Sequence, residues 1–302
     1  MKKLLSLLVS LIVIIAIDFA IPIKYSLLNK DSYFFGFESF RNSAKQTLGQ
    51  NRIILVGGSS LAWGVSAEKL SEDLGLLTLN SAIHGGIGYR RFFRTFTDVI
   101  DKSRDIIVIS PEYSLVSQGG ALGRSDEFCA ISIYVLNQYP IDCLGYSINS
   151  FFKITWALNV GKKLNLENEY IKEGFNEFGD YTHRVTDNNK ISNMSDIDVC
   201  SNWKIQDLSK KYIPFIDNLI SEGYEIVYIP NFIPSISCSN REKVRVFHNL
   251  MHNKYGIQSF KDSKLFFDEE YFYNSGYHLT EEGVSIKTGI FEEQLGYYLE
   301  TR

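Results

Sequence analysis

Three short runs constrain the fold of this chain more than anything else in it: "RIILVG" (52–57), "DIIVIS" (105–110) and "YEIVYIP" (224–230). Each is apolar and rich in β-branched residues, without the in–out alternation of a half-solvated strand. Strands of that composition are buried on both faces, which points to a parallel sheet covered by helices on either side. The segments between them agree. "SAEKLSEDLG" (66–75) has a Ser N-cap signal and a terminal glycine, and "YRRFFRTFTDVIDK" (89–102) has apolar residues at helical spacing. "LSKKYIPFIDNLISEG" (208–223), "REKVRVFHNLMHNKYG" (241–256) and "TEEGVSIKTGIFEEQLGYYLE" (280–300) read as three further helices. "LLTLN" (76–80) and "KLFFD" (264–268) add two short strands. Alternating strands and helices predict an α/β fold of three layers, α/β/α, around a central parallel sheet.

In such a sheet the working site lies outside the carboxyl ends of the strands. Three loops with small or polar residues open there: "GGSS" after the first strand, "NSAIHGG" after the second and "SPEYS" after the third. Residues 115 to 205 break the alternation and read as a partly helical insertion over this rim. A structureless loop of that length is uncommon inside a compact domain.

The first residues stand apart. Lys2 and Lys3 precede an apolar run from Leu4 to Ile23 that is broken only by Ser6, Ser10 and Asp18. About 20 apolar residues cross the hydrocarbon core of a bilayer, so residues 1–23 are expected to form an N-terminal transmembrane anchor. A cleaved signal peptide is the rival, but cutting after Ala20 would put Asp18 at the −3 position, where a small residue belongs. A buried helix of a soluble protein is the third option. The basic N-terminus favours an extracytoplasmic, periplasmic or surface-exposed bulk. Residues 24–50 form a connector, and residues 51–302 the α/β domain.

Cys129, Cys143, Cys200 and Cys238 all follow the anchor, so export would permit two disulfides. Three pairings are possible. The short loop between Cys129 and Cys143 favours that pair together with Cys200–Cys238; four free thiols are the alternative. With 31 basic against 35 acidic residues, no basic field points to nucleic acid. Neither a C-x-x-C pair nor H-E-x-x-H is present, and His248 and His252, four apart, read as a solvated helix face rather than a metal pair. No metal and no cofactor is expected.

Chemistry is best served by the serine turn. Acyl transfer needs an activated hydroxyl, a base and N–H donors for the oxyanion. "GGSS" offers the hydroxyls, and His278 in "NSGYHLTEEG" follows the last strand and reaches the same rim. His84 lies in the second rim loop and can touch a substrate; His183 lies in the insertion.

These blocks, in this order, resemble the SGNH or GDSL-type hydrolases and acyltransferases over roughly residues 50 to 300. Gly58-Ser59-Ser60-Leu61 with Gly64 is similar to the first block, which makes Ser60 the nucleophile and leaves Ser59 in place of the aspartate. Asn80 and Gly85 are similar to the second, so the N–H groups of Ser60 and Gly85 would hold the oxyanion. His278 matches the last block as the base. Two positions depart: Glu112 stands in the third block where an asparagine donor is usual, and Asn274 and Ser275 stand where the triad acid belongs. Asn274 or Ser275 can still orient the imidazole as a neutral acceptor.

The resemblance implies a flavodoxin-like SGNH fold. "SPEYS", "GFNEFGDYTHR" and "YHLTEEG" behind one anchor further resemble membrane-anchored members associated with bacterial surface polysaccharides. The implied activity is that of a serine esterase or O-acyltransferase working on acyl, above all acetyl, groups of such a glycan, with a membrane acyl-donor protein as a further partner. The alternative is a catalytically degenerate member that binds glycan or assists its assembly.

Overall fold

The computed structural model describes residues 9–10, 13, 41–82, 89–113, 116, 174–182, 200, 204–257, 265–273 and 275–302. Its elements follow the chain in this order: β1 (Arg52–Gly57), the single turn α1 (Ser59–Ala62), α2 (Ala67–Leu74), β2 (Thr78–Asn80), α3 (Tyr89–Phe96) and β3 (Asp105–Ser110). Next comes α4, built from Ile205–Asp207, a π turn at Leu208–Tyr212 and Ile213–Ser221, then β4 (Glu225–Tyr228) and β5 (Ile233–Pro234). It closes with α5 (Arg241–Tyr255), β6 (Phe266–Phe267), a 3₁₀ turn at Glu269–Tyr271 and α6 (Glu281–Thr301).

Four strands form one parallel sheet in the order β2-β1-β3-β4, the flavodoxin-like arrangement. β1 and β3 are in register from Arg52–Asp105 to Gly57–Ser110. Because side chains alternate across a strand, the two faces sort cleanly. Ile53, Leu55, Ile106 and Val108 pack with Leu70 of α2 and with Phe291 and Leu295 of α6. Ile54, Val56, Ile107 and Ile109 pack with Phe93 and Phe96 of α3, Ile216 of α4, and Phe247 and Met251 of α5. The doubly buried β runs therefore do what their composition predicts. β5 and β6 pair in parallel as a separate two-stranded sheet.

Local signals explain several boundaries. Ser66 Oγ accepts from the Lys69 N–H to cap α2, and Gly75 ends it at φ 64, a left-handed conformation that glycine adopts without strain. Thr280 caps α6 by accepting from the Gly283 N–H. Pro214 has no N–H to give, and α4 widens into its π turn directly before it.

At the opposite end, where the strands start, the sheet begins on a buried ion pair. Arg52 Nε and Nη2 grip the two oxygens of Asp105 at 2.9 and 2.6 Å, with both side chains fully buried. The remaining guanidinium donors reach the Ala44 and Val99 carbonyls and Thr47 Oγ1, and the Asp101 N–H also binds Asp105. Ala44 is itself buried, in a helical stretch over residues 41–46. The end of the segment read as a connector, residues 41–50, is thus tied to the sheet through Arg52.

The expected anchor falls almost wholly outside the described residues. Among those described, no helix is long and apolar enough to cross a membrane. Of the insertion, the described part is residue 116, the clasp 174–182, Cys200 and residues 204–205. Cys200 is disulfide-bonded to Cys238, with Cα atoms 5.1 Å apart. Cys129 and Cys143 lie outside the described residues. One expectation is corrected: His248 is buried and lies beside the Tyr228 ring, not on a solvated face. The buried stripe Val244–Phe247–Met251–Tyr255 of α5 is wide enough to carry it inward.

Candidate active site

β1 ends at Gly57, and the chain turns at once into α1. Gly57 leaves no room for a side chain, since a Cβ there would stand 2.9 Å from the Ser110 carbonyl and 2.6 Å from Leu61. The strand must therefore stop on glycine, and both serines emerge at the carboxyl end of the sheet.

The turn gives the two serines different surroundings. Ser60 is 0% exposed, and its Oγ has no hydrogen-bond partner among the described residues. Its backbone is held on both sides: the N–H donates to Glu112 Oε1 at 2.9 Å, and the carbonyl accepts from Lys287 Nζ at 2.8 Å. Ser59 is 8% exposed, and its hydroxyl donates to the same Glu112 oxygen at 3.3 Å. The Trp63 N–H closes this single turn on the Ser59 carbonyl, so Ser59 stands one turn before Trp63. A Cβ at Gly64 would come within 3.2 Å of Lys287 Nζ in α6. On Trp63 lies His278, whose ring stacks on the indole at 4.8 Å between centroids and 9° between planes.

His278 is set in place by its own hairpin. Its carbonyl accepts from the Tyr273 N–H, Phe272 and Leu279 form an antiparallel bridge, and α6 starts two residues on. Ser275 Oγ accepts from the backbone N–H groups of Tyr277 and His278, so it shapes this turn. Asn274, the other candidate to orient the ring, lies outside the described residues, as do His84 and Gly85.

Behind Trp63 lies the clasp from the insertion. Tyr181 packs on the indole at 4.4 Å, and its N–H donates to the Ala62 carbonyl. Asp180 is buried and accepts from Asn80 Nδ2 at 3.0 Å and from the Glu68 N–H at 3.1 Å. Desolvation raises its pKa above the ordinary carboxylate value, against the pull of those donors. Asn80 is fully committed as well. Its Nδ2 also faces the Leu61 and Val65 carbonyls, and its Oδ1 accepts from the Ala82 N–H. Asn80 is a staple between β2, the serine turn and the clasp, and its amide is not turned to a substrate.

Lys287 went unnoticed in the sequence. It is 1% exposed and ties the Ser60 carbonyl to Asn231 Oδ1, at 2.9 Å, just beyond β4. Desolvation pushes its pKa down to about 7, while the negative charge of Glu112 pulls the other way. Asn231 in turn accepts the Tyr113 hydroxyl on its backbone carbonyl. The loops after β1, β3 and β4 are thus tied to α6, which carries Lys287 in its body and follows directly on His278. The signal was present: Lys287 stands on the stripe Gly283–Lys287–Phe291–Leu295, the buried face of α6.

Comparison with known proteins gives no match: neither a protein-family model, a curated protein nor a solved structure matches this chain.

Proposed function

We propose that this chain is a membrane-anchored, extracytoplasmic serine esterase or O-acyltransferase of the SGNH type, acting on acyl groups of a bacterial surface polysaccharide. One observation carries the reading. The Ser59 hydroxyl and the Ser60 N–H converge on a single oxygen atom, that of Glu112. Acyl transfer needs such a point, within reach of both the attacking oxygen and an oxyanion donor. In this reading the nucleophile moves one residue from the sequence-based choice, from Ser60 to Ser59. Ser60 Oγ is buried with no partner among the described residues, and Ser59 stands one turn before Trp63, on which His278 stacks.

Ser59 Oγ attacks the ester carbonyl while His278 takes its proton. The Ser60 N–H receives the negative charge on the carbonyl oxygen. His278 then returns the proton to the leaving sugar oxygen, which frees the alcohol and leaves the acyl group on Ser59. Water or a second sugar hydroxyl, deprotonated by His278, removes the acyl group and restores the serine. The Trp63 ring sets the plane of the imidazole, a task that a triad acid performs elsewhere. The Cys200–Cys238 bridge supports an oxidising, extracytoplasmic setting.

The test is a set of variants assayed on an acetyl ester and on acetylation of the cell's own polysaccharide. Ser59→Ala and His278→Ala should each abolish turnover, and Ser60→Ala should retain most of it. The reverse order for the serines would restore Ser60 as nucleophile. A second reading, a degenerate glycan-binding or assembly protein, is favoured by Glu112 standing on the Ser60 N–H. It predicts unchanged acylation in every variant, with polysaccharide assembly lost only on deletion.

A further inference from the structure

Both groups that acyl transfer requires are already spoken for. The Ser60 N–H and the Ser59 hydroxyl each give their hydrogen to Glu112 Oε1. While that oxygen stays, an ester carbonyl has no place to put its own oxygen, and the serine proton points at a carboxylate. We infer that the Glu112 side chain is a resident gate on the oxyanion seat, which fills it at rest and swings out when an ester arrives. The inference rests on the esterase or acyltransferase reading for its meaning, though not for its test.

Three features mark the gate as a built device. Glu112 is only 5% exposed, so the seat it fills is a desolvated one. The Ser60 peptide is bonded at both ends, by the Glu112 carboxylate at the N–H and by Lys287 Nζ at the carbonyl, which holds the resting arrangement. The backbone behind Glu112 is anchored, because the next residue, Tyr113, is buried, bonded to the Asn231 carbonyl and packed on Phe247. Opening therefore asks for rotation about side-chain bonds alone.

Two variants of the full chain separate this from its rivals. Glu112→Ala empties the seat. Glu112→Gln keeps the shape but offers a neutral acceptor, and a hydrogen bond to a charged group is roughly twice as strong as one between neutral groups. The readouts are the rate of covalent labelling by a neutral fluorophosphonate, whose P=O oxygen must enter the seat, and binding of acetate followed by NMR. Labelling should rise about tenfold or more in Glu112→Ala and severalfold in Glu112→Gln, since a charge-assisted bond no longer opposes entry. Acetate should bind Glu112→Ala and not the wild type.

Slower labelling of both variants, with fold and disulfide intact, would overturn the gate and make Glu112 a base. Rates equal to the wild type would overturn it too. If no protein is labelled, the serine chemistry falls, and acetate alone decides the gate: binding to the alanine variant only sustains it, and binding to neither sinks it. Should Glu112→Ala fail to fold, the labelling rate of Glu112→Gln decides in the same way.

Discussion

Lys287→Met should change how the stability of this protein depends on pH. An unfolded lysine keeps its proton up to its usual 10.5, whereas burial lowers the folded value to about 7. Between those limits the unfolded chain binds one more proton than the native one, so stability climbs with pH by about 1.4 kcal/mol per unit. Between pH 7 and pH 9 the wild type should gain about 2 kcal/mol from this group alone, and the dependence fades as pH falls through 7. The methionine variant lacks the titration. It also leaves the Ser60 carbonyl and Asn231 Oδ1 without their donor, a cost of about 1–3 kcal/mol for each buried group that does not vary with pH. Urea unfolding of both proteins at half-unit steps from pH 6.5 to 9, with the disulfide kept oxidised, isolates the term as the difference between them. That difference should widen in favour of the wild type as pH rises. A flat or narrowing difference would mean that the amine is not a desolvated group with a lowered pKa, and the description of the serine turn as pinned from below would go with it.

Two other perturbations probe the frame. Arg52→Met strands the Asp105 carboxylate in the core and should destabilise the fold by about 3–5 kcal/mol in denaturant titrations; a loss under 1 kcal/mol would show that the pair is not closed to water. Replacing Cys200 and Cys238 by serine opens a bridge across 38 residues, for which chain entropy gives roughly 4 kcal/mol. Equal mobility of the exported protein on reducing and non-reducing gels, with every thiol open to alkylation, would remove the bridge.

The sheet was legible because its strands are buried twice. "RIILVG" and "DIIVIS" occupy β1 and β3 residue for residue, and the caps at Ser66, Gly75 and Thr280 set helix ends as their chemistry requires. β6 lies inside the "KLFFD" run read as a strand, whereas β5, two residues long, carries too little pattern to be seen. The candidate site was legible as a place and less so as a geometry. "GGSS" marks the turn, but which serine faces outward depends on the direction in which α1 leaves Gly57, and that is set by tertiary packing. Glu112 was noticed as a departure, yet its bond to the Ser60 N–H joins residues 52 apart and leaves no local trace. Asn80 matches the second block of the resemblance, but nothing local shows that the clasp at 174–182 takes up its amide.

Which serine becomes acylated is the most direct question to ask. The full chain, treated with a fluorophosphonate that transfers its phosphonyl group to an activated serine and releases fluoride, can be digested and the adduct located by mass spectrometry. The account predicts a single adduct on Ser59, lost in His278→Ala and retained in Ser60→Ala. An adduct on Ser60, an adduct indifferent to His278, or no adduct on this turn in either the wild type or Glu112→Ala would contradict it.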